Sequence, residues 1–489
     1  MLCATISGPS FLEAKTQILH SLPLVDAIEL RVDRFSEVSN NELASLVRLA
    51  KRTILTFQKP IQLTRAQWVL KIQELADLCP DYLDVDKSFP KNILNRIRSK
   101  HPQIKIILSH HSNTWEPINE LYNVISKTQV DYYKIAVTPQ SSLETLQCMC
   151  QKQSLPDNVT AICMGNYGIP ARVLSPLVNN NINYSSGIGA PQAAPGQLSV
   201  TELLSYNYSN LTPDANIYAL IGNPVNRSIS HRSHNHFFSL LGISASYVKI
   251  LLNAEELPEF FKLAHQLNFK GVSVTMPLKT EVLKHVDILD PTVLSCQSCN
   301  TLVFDQNKIV GYNTDGLGLL NLMCNYGISI KNKSIAILGA GGAAKAIATT
   351  LSRFGGNVYI FNRSKPARDE LADLCSGKSF PLDMLSDAFP IDIIINCLPP
   401  NIPFKEIFAP IVIDINTQSR TSPYLEKSRE YGSVVLYGYQ MFMEQALLQF
   451  AFWFPGRLSP TLCAQFRQEV TRIMTEESQY ANKEIKAIA

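Results

Sequence analysis

The stretch that decides the fold of the second half of the chain is SIAILGAGGAAKAIATTL, which runs from Ser334 to Leu351. It has the pattern of a short apolar strand, a glycine-rich turn and an alanine-rich helix. Gly339, Gly341 and Ala344 occupy the three small-residue positions of the GxGxxG/A pattern, where the first allows a tight turn and the second lets the backbone approach a pyrophosphate. The start of the following helix offers free N–H groups and a partial positive charge. The stretch therefore predicts a Rossmann-type domain that binds a dinucleotide.

The residues after the next strand, NVYIF, indicate which dinucleotide binds. An NAD-dependent enzyme would carry an acidic residue there for the ribose hydroxyls, but this chain has the sequence NRSK. Arg363 and Lys365 can pair with a 2′-phosphate, which favours NADP over NAD. A solvated basic turn is the alternative interpretation. The predicted cofactor-binding residues of the turn and of this segment are Gly339, Ala340, Gly341, Gly342, Ala343, Asn362, Arg363, Ser364 and Lys365.

The first half of the chain repeats a different pattern, a short apolar run followed by a helical segment. The eight apolar runs are LCATI, AIELRV, TILTF, YLDV, IKIIL, YYKIAV, VTAIC and INYSS. Eight strand-plus-helix units predict a (β/α)8 barrel, in which chemistry takes place at the carboxyl ends of the strands. Glu29, Arg31, His111 and Lys134 lie in or just after these runs. The pattern therefore predicts an α/β protein with one active site in its first half.

Lys134 lies inside the apolar run YYKIAV. An isolated lysine in such a run usually extends its stem along apolar surface and keeps its amine in water. In a barrel mouth, burial is expected to disfavour the ammonium and to lower the pKa of Lys134, so that a neutral amine can attack a carbonyl and form an imine. The iminium makes the neighbouring carbon acidic, and His111 suits the role of base because the ordinary pKa of histidine lies near neutrality.

Five motifs of the first half together resemble type I 3-dehydroquinate dehydratase over about residues 1–205. They are ELRVD (29–33), SHH (109–111), KIAVTPQS (134–141), MGNYGIPAR (164–172) and APGQ (194–197). The resemblance implies that Lys134 forms a Schiff base and that His111 is the general acid/base. It also implies that the substrate, 3-dehydroquinate, is bound by Glu29, Arg31, Arg172 and Gln197.

Two positions depart from the pattern of this family. Gln58 stands where the family usually has an arginine, and Ala193 stands where it usually has a serine. An amide cannot form a charge-assisted fork to an anion, and such a bond contributes about 1.5–3 kcal/mol. We therefore expect weaker substrate binding than in the relatives, unless Lys59 or Arg65 replaces the missing charge.

The second half of the chain resembles shikimate dehydrogenase over about residues 215–456. The motifs are IGNPVNRSISHRSHN (221–235), VSVTMPLK (272–279), CNTL (299–302), GYNTDGLG (311–318), NCLP (396–399) and YGYQMFMEQA (437–446). The resemblance implies that Lys279 and Asp315 are the catalytic pair and that Gly438 belongs to the cofactor site. A lysine beside a carboxylate suits ketone reduction, because negative charge develops on the oxygen and a proton must reach it. The implied substrate-binding residues are Ser228, Ser230, Thr275, Asn300 and Gln445.

The polar, turn-rich segment around residues 205–216 predicts a domain boundary. The predicted domains are a dehydratase barrel over residues 1–207, a substrate-binding domain over 214–318, a Rossmann NADP domain over 319–435 and C-terminal helices over 436–489.

The two resemblances together imply a bifunctional enzyme of the shikimate pathway. The first half would dehydrate 3-dehydroquinate to 3-dehydroshikimate, and the second half would reduce that product to shikimate with NADPH. One alternative is a catabolic quinate or shikimate dehydrogenase that uses NAD. The other is a non-catalytic sensor of pathway metabolites that keeps both folds.

Composition limits the partners that we expect. The net charge of +3 over 489 residues and the lack of a basic run argue against a nucleic-acid partner. No apolar run reaches the roughly 18 residues of a membrane span, and the start carries no basic export segment, so a cytoplasmic location without membrane contact is expected. The 11 cysteines are expected to be reduced thiols. The oligomeric state stays open.

No metal site is expected in this chain. His231, His234 and His236 crowd together, but they overlap a substrate-loop motif. Cys296 and Cys299 form a single CxxC without the second pair of a zinc ribbon.

Overall fold

The computed structural model describes residues 1–36, 38–386, 390–400, 402–417 and 422–488, with side chains described as far as Glu477. These residues form two compact units. The first contains residues 1–216, 244–250 and 262–267, and the second contains residues 217–243, 251–261 and 268 onward. The predicted domain boundaries at 207, 214, 318 and 435 stay a prediction.

A sheet of eight parallel strands forms the core of the first unit. The strands are β1 (Leu2–Ile6), β2 (Ala27–Arg31), β3 (Thr53–Thr56), β4 (Tyr82–Asp86), β5 (Lys105–His111), β6 (Tyr132–Val137), β7 (Val159–Cys163) and β8 (Asn183–Ser186). Each of the eight predicted apolar runs overlaps one of these strands. Both faces of the strands are buried, as expected for a parallel sheet covered by helices on one side and filled by side chains on the other.

The strand order is β7-β6-β5-β4-β3-β2-β1-β8, which is a nearly closed barrel. Side chains join its two end strands. The amide oxygen of Asn180 accepts a hydrogen bond of 2.8 Å from the Ala161 N–H, and its amide nitrogen donates one of 2.9 Å to the Ala161 carbonyl. The hydroxyl of Thr160 accepts a bond of 3.2 Å from the Ile182 N–H. The predicted (β/α)8 barrel is confirmed, with side-chain bonds in place of a strand ladder at this seam.

Helices alternate with the barrel strands. They are α1 (Phe11–Ser21), α2 (Asn40–Val47), α3 (Arg65–Asp77), α4 (Lys91–Lys100), α5 (Ile118–Ile125), α6 (Ser142–Gln153), α7 (Ile169–Val173) and α8 (Val200–Leu204). Local sequence determines where several of them start. Ser10, Ser39, Thr64 and Ser199 each accept a hydrogen bond from the N–H of a Glu or Gln three residues later, whose side chain bonds back to the cap.

A mixed sheet of six strands follows in the sequence. Its strands are β9 (Asn216–Gly222), β10 (Ala245–Leu251), β11 (Phe269–Val274), β12 (Ile288–Leu289), β13 (Thr301–Asp305) and β14 (Lys308–Tyr312), in the order β10-β9-β11-β13-β14-β12. β13 runs antiparallel to both β11 and β14. The helices of this region are α9 (Ser230–Leu240), α10 (Leu257–Gln266) and α11 (Pro291–Cys296).

The third sheet has six parallel strands. Its strands are β15 (Ser334–Leu338), β16 (Asn357–Phe361), β17 (Lys378–Phe380), β18 (Ile393–Asn396), β19 (Ile411–Asp414) and β20 (Val434–Tyr437). Their order, β17-β16-β15-β18-β19-β20, is the 3-2-1-4-5-6 order of a doubly wound dinucleotide-binding fold. The Rossmann prediction is confirmed.

The remaining helices complete the second half. They are α12 (Asp315–Asn325), α13 (Gly342–Arg353), α14 (Lys365–Leu374), α15 (Pro423–Glu430), α16 (Gly438–Trp453) and α17 (Pro460–Ile488). Among the helices that the structure describes, none has both the length and the apolar character to cross a membrane.

Candidate active sites

Lys134 lies inside the barrel and is only 4% exposed. Its Nζ donates a hydrogen bond to Oδ2 of Asp84 and lies 3.8 Å from Oε1 of Glu29. The ring of Tyr184 lies 4.8 Å from the same nitrogen. Since these groups come from β6, β4, β2 and β8, the barrel brings together an amine, two carboxylates and an aromatic face from distant parts of the chain.

The expectation that burial lowers the pKa of Lys134 is wrong. Burial does oppose the charged amine, but the carboxylates of Asp84 and Glu29 act in the other direction, and together they raise the pKa of Lys134 above its ordinary value. In the resting site Lys134 is therefore an ammonium that neutralises buried carboxylates.

Glu29 is held by hydroxyl groups on both sides. Thr5 donates a hydrogen bond of 2.7 Å to Oε2, and Thr56 donates one of 2.8 Å to Oε1. Gln197, in the loop after β8, donates a bond of 3.1 Å to the Thr5 hydroxyl and accepts one of 2.8 Å from the N–H of Ala193. The structure therefore connects two of the predicted substrate-binding residues, Glu29 and Gln197, through Thr5.

Arg31 and His111 are linked through Gln58. Nε and Nη2 of Arg31 donate to the two carboxylate oxygens of Asp33 at 3.0 and 2.7 Å, and Nη2 also donates to Oε1 of Gln58 at 3.0 Å. The amide nitrogen of Gln58 lies 3.3 Å from Nε2 of His111. Burial, followed by the charge of Lys134, lowers the pKa of His111 to about 3, so the imidazole is neutral at physiological pH.

Arg172 lies on α7 and stands apart from this network. It is 6% exposed, and its Nε and Nη2 have no hydrogen-bond partner among the described residues. Burial without an acidic partner lowers the pKa of Arg172 to about 10. A buried guanidinium with unpaired donors costs free energy, so the site is suited to an anion that the protein itself does not supply.

A second cluster forms around the first turn of α12. Nζ of Lys279 donates a hydrogen bond to Oδ2 of Asp315, and the amide nitrogen of Asn300 donates one of 2.8 Å to Oδ1. The amide oxygen of Asn300 accepts bonds from the hydroxyl of Thr301 at 2.8 Å and the N–H of Thr314 at 3.0 Å. These two donors direct the amide nitrogen of Asn300 toward Asp315.

Gln445 reaches this cluster from α16. Its Oε1 accepts a hydrogen bond of 3.1 Å from Thr314 and lies 3.4 Å from the amide nitrogen of Asn300. The two helices approach closely at Gly318, where an added Cβ would lie 2.7 Å from Cβ of Gln445. A side chain at position 318 would therefore push Gln445 away from Asn300 and Thr314.

The other predicted substrate residues lie at the edge of the second cluster. The hydroxyls of Ser228 and Ser230 are 2.8 Å apart at the start of α9. Thr275 follows β11, and its N–H donates to the carbonyl of Ile221 at 2.9 Å. Among the hydrogen bonds of the described residues, none joins the two serines to Lys279 or Asp315, so their substrate role stays a prediction.

The glycine-rich turn between β15 and α13 has room for a dinucleotide. Gly339 has a φ of +107°, which an L side chain rarely adopts, and a Cβ at Gly341 would meet nothing within 4 Å. A Cβ at Gly342 would lie 2.9 Å from Cβ of Lys279. The turn thus offers open backbone N–H groups beside the Lys279–Asp315 pair.

The segment after β16 has the basic character that the sequence suggests. Arg363 and Lys365 are exposed, and Lys365 forms an ion pair of 2.6 Å with Asp369 on the next helical turn. Gly438 begins α16, where a Cβ would lie 2.2 Å from the carbonyl oxygen of Asn416. The role of these positions in binding NADP stays a prediction.

Among the crowded histidines and cysteines, His234, Cys296 and Cys299 are buried in the core. Nε2 of His234 lies 3.1 Å from Oε1 of Gln449, and burial lowers the pKa of His234 to about 4. Cys296 and Cys299 donate to backbone carbonyls. Within the described residues, no group of three potential ligand side chains could hold a metal ion.

Known proteins match both halves of the chain. The family model described as Type I 3-dehydroquinase matches residues 2–210, and the model of the shikimate dehydrogenase substrate binding domain matches residues 220–302. The shikimate biosynthesis protein AroDE of Chlamydia pneumoniae is 51% identical over 476 residues, which cover 97% of this chain and 100% of that protein. The chain belongs to the AroDE family. It joins a type I dehydroquinate dehydratase to a shikimate dehydrogenase.

More distant relatives show the same arrangement or one half of it. A bifunctional 3-dehydroquinate dehydratase/shikimate dehydrogenase of Arabidopsis thaliana is 27% identical and is matched over 92% of this chain and 81% of its own length. An NADP(+) shikimate dehydrogenase of Aquifex aeolicus is 31% identical over 250 residues, which are 48% of this chain and 90% of that protein.

The sequence analysis missed Asp84 of the dehydratase site. Asp84 is buried and contacts Lys134 directly. The available signal was its position between Leu83 and Val85 in a strand of the barrel. A carboxylate in such a strand is rarely buried without a cationic partner.

Proposed function

We propose that Lys134 and His111 are the catalytic residues with which this enzyme dehydrates 3-dehydroquinate to 3-dehydroshikimate. We also propose that Lys279 and Asp315 are those with which it reduces 3-dehydroshikimate to shikimate, using NADPH. The observation that carries the first proposal is the burial of Lys134 beside Asp84, with His111 on the adjacent strand.

The dehydratase begins from a protonated Lys134. Attack on a ketone requires a neutral amine, and Asp84 is in hydrogen-bond contact to take the proton. A bond then forms between the amine nitrogen and the carbonyl carbon, and the carbonyl oxygen leaves as water. The product is an iminium, whose positive charge the buried carboxylates of Asp84 and Glu29 stabilise.

His111 is proposed to act as the general base and then as the general acid of the elimination step. Its neutral imidazole takes a proton from the carbon beside the iminium, and the electron pair of that C–H bond moves toward the iminium nitrogen. The hydroxyl on the following carbon then leaves as water with the proton that His111 returns. Hydrolysis of the imine by one water frees the product and Lys134, so the net change is the loss of one water.

Arg172 is proposed to bind the substrate carboxylate with its unpaired donors. Replacing it by methionine is expected to raise the KM for 3-dehydroquinate about 10- to 100-fold, because a charge-assisted hydrogen bond to an anion is lost. The free energy of unfolding should not fall, since Nε and Nη2 have no hydrogen-bond partner in the part of the chain that the structure describes. Steady-state kinetics and urea unfolding measure both effects. Arg96→Met on the exposed face of α4 is the matched control, and an unchanged KM in Arg172→Met would contradict the proposal.

In the dehydrogenase, NADPH supplies the hydride that reduces the ketone carbon. As negative charge develops on the ketone oxygen, the ammonium of Lys279 stabilises it and provides a proton, while Asp315 holds that ammonium in place. Asn300 and Gln445 lie next to the pair and are proposed to bind hydroxyl groups of the substrate.

Arg363 is proposed to bind the 2′-phosphate of NADP. Arg363→Ala is expected to raise the dissociation constant of NADP about 10- to 100-fold while leaving that of NAD nearly unchanged, because only NADP carries the phosphate. Fluorescence titration of both nucleotides measures the ratio. Arg353→Ala at the far end of α13 controls for the loss of an exposed arginine. Equal weakening of both nucleotides would show that Arg363 does not select the phosphate.

One experiment separates this function from its alternatives. The full chain is supplied with NADPH and either 3-dehydroshikimate or 3-dehydroquinate, and NADPH oxidation is followed. The proposed enzyme oxidises NADPH with both substrates, a dehydrogenase without the dehydratase reacts only with the first, and a sensor reacts with neither. Dependence on NAD would favour the catabolic alternative. A cytoplasmic location and the absence of a nucleic-acid partner stay predictions.

A further inference from the structure

We propose that Gln58 is a positioning residue of the dehydratase, which makes Nε2 of His111 the nitrogen that accepts a proton. The inference rests on the proposed role of His111 as the acid/base of this site. Gln58 follows β3 and lies between Arg31 at the end of β2 and His111 at the end of β5.

The orientation of the Gln58 amide follows from its contact with Arg31. A guanidinium carries only hydrogen-bond donors, so the group of Gln58 that lies 3.0 Å from Nη2 must be the amide oxygen. Asp33 holds the same guanidinium through two bonds, at 3.0 and 2.7 Å, and so prevents Arg31 from turning away. The amide nitrogen of Gln58 therefore points to the other side.

On that side the Gln58 amide nitrogen lies 3.3 Å from Nε2 of His111. An amide nitrogen only donates, so Nε2 must accept and cannot carry a hydrogen. In a neutral imidazole the hydrogen is then on Nδ1. The chain of contacts from Asp33 through Arg31 and Gln58 thus selects the tautomer of His111 in which Nε2 carries the lone pair and is the basic nitrogen.

The charges around His111 keep the imidazole neutral, as this tautomer requires. Burial and the ammonium of Lys134 on β6 lower the pKa of His111 to about 3, and Arg31 on β2 acts in the same direction. Asp86 on β4 and Glu29 on β2 act in the opposite direction but do not outweigh them. Gln58 adds no charge to this balance.

In this role Gln58 makes two hydrogen bonds of its own, in addition to lacking the charge of the arginine that the family usually has at this position. An arginine at position 58 would offer only donors, and it could not accept the hydrogen bond from Arg31. It would also place a second guanidinium beside the first. The glutamine accepts from Arg31 and donates to His111, which a residue with donors alone cannot do.

The test uses two variants of Gln58 and a control. Gln58→Glu has nearly the same shape but accepts hydrogen bonds from both neighbours. Gln58→Met has a similar length and makes no such bonds. Gln129→Glu, an exposed residue before β6, has the same charge change and should behave as the unaltered protein. Each full chain is labelled with 15N-histidine, and His111 is assigned by its disappearance in His111→Ala.

Two-bond 1H–15N spectra report the tautomer and the titration of His111. The unaltered protein should show hydrogen on Nδ1, and Gln58→Met should show a mixture of tautomers. Gln58→Glu should place hydrogen on Nε2 and raise the pH at which His111 titrates by about 2 units or more, because a carboxylate favours the charged imidazole. The acid limb of its kcat profile should move up in pH. At pH 7 kcat should fall about 10-fold or more, because a hydrogen on Nε2 removes the lone pair that accepts the substrate proton.

Hydrogen on Nε2 in the unaltered protein, or an unchanged tautomer and titration in both Gln58 variants, would overturn the inference. Borohydride reduction with substrate checks that the barrel of each variant is folded, since trapping requires Lys134 and not the base. The failure of the proposed role of His111 gives a different result. In that case His111→Ala keeps its dehydratase turnover, whatever the spectra of the Gln58 variants show.

Discussion

Replacement of Lys134 by methionine is expected to lower dehydratase turnover by a factor on the order of 10³ or more, because the covalent intermediate can no longer form. The dehydrogenase of the same chain should still reduce 3-dehydroshikimate. Borohydride added with 3-dehydroquinate should increase the mass of the unaltered protein at Lys134 and leave the variant unmodified. Turnover measured with each substrate separately, and mass spectrometry of the reduced protein, give both results.

The change at Lys134 also affects stability, and a second variant separates the two effects. Methionine leaves Asp84 and Glu29 buried without their cation, which is expected to destabilise the barrel by about 3–5 kcal/mol. Adding Asp84→Asn removes one of these charges and should recover part of the stability without recovering turnover. Lys105→Met, at the exposed start of β5, is the matched control. Retained dehydratase turnover in Lys134→Met would disprove the imine mechanism.

Replacement of Lys279 by methionine, or of Asp315 by asparagine, is expected to lower the kcat of shikimate formation about 10²- to 10⁴-fold. The ammonium that stabilises the developing oxyanion is removed in the first variant, and the carboxylate that holds it is removed in the second. The dissociation constant of NADPH should change little, because the turn would bind phosphate through backbone N–H groups, which neither substitution removes. Stopped-flow hydride transfer and nucleotide titration measure the two quantities.

The exposed Lys284 provides the control for the dehydrogenase variants, since Lys284→Met removes the same charge a few residues away. Asp315→Asn keeps an oxygen that can accept from Asn300, so it tests the charge of the carboxylate more than its shape. If either variant weakened NADPH binding strongly and left hydride transfer unchanged, Lys279 and Asp315 would be cofactor-binding residues and not the catalytic pair.

The two folds follow from local features of the sequence. Each of the eight apolar runs of the first half overlaps a barrel strand, and the turn after Leu338 joins the central strand of the third sheet to α13. Burial patterns and turn conformations involve residues that are close in sequence, so the local sequence pattern predicts them. The seam between β7 and β8 was not predictable, because Asn180 reaches Ala161 across it.

The motifs also predicted the candidate catalytic residues, but they did not predict the electrostatic state of these residues. The sequence places Lys134 in an apolar strand and His111 at the end of another. Only the tertiary structure brings Asp84, which is 50 residues away, into contact with Lys134 and so raises the pKa of that lysine. Charge–charge energies depend on distances of a few ångströms between groups from different strands, which a linear pattern does not contain.

The same division applies to Gln58 and to the Lys279–Asp315 pair. By itself, the sequence predicted the barrel strands, the glycine-rich turn and the motif residues of each site, but not Asp84. The tertiary structure decided that Gln58 accepts from Arg31 and faces His111, and that Asn300 points its amide nitrogen at Asp315. The physical reason is that a hydrogen bond has a direction, and the partner that sets this direction comes from another part of the fold.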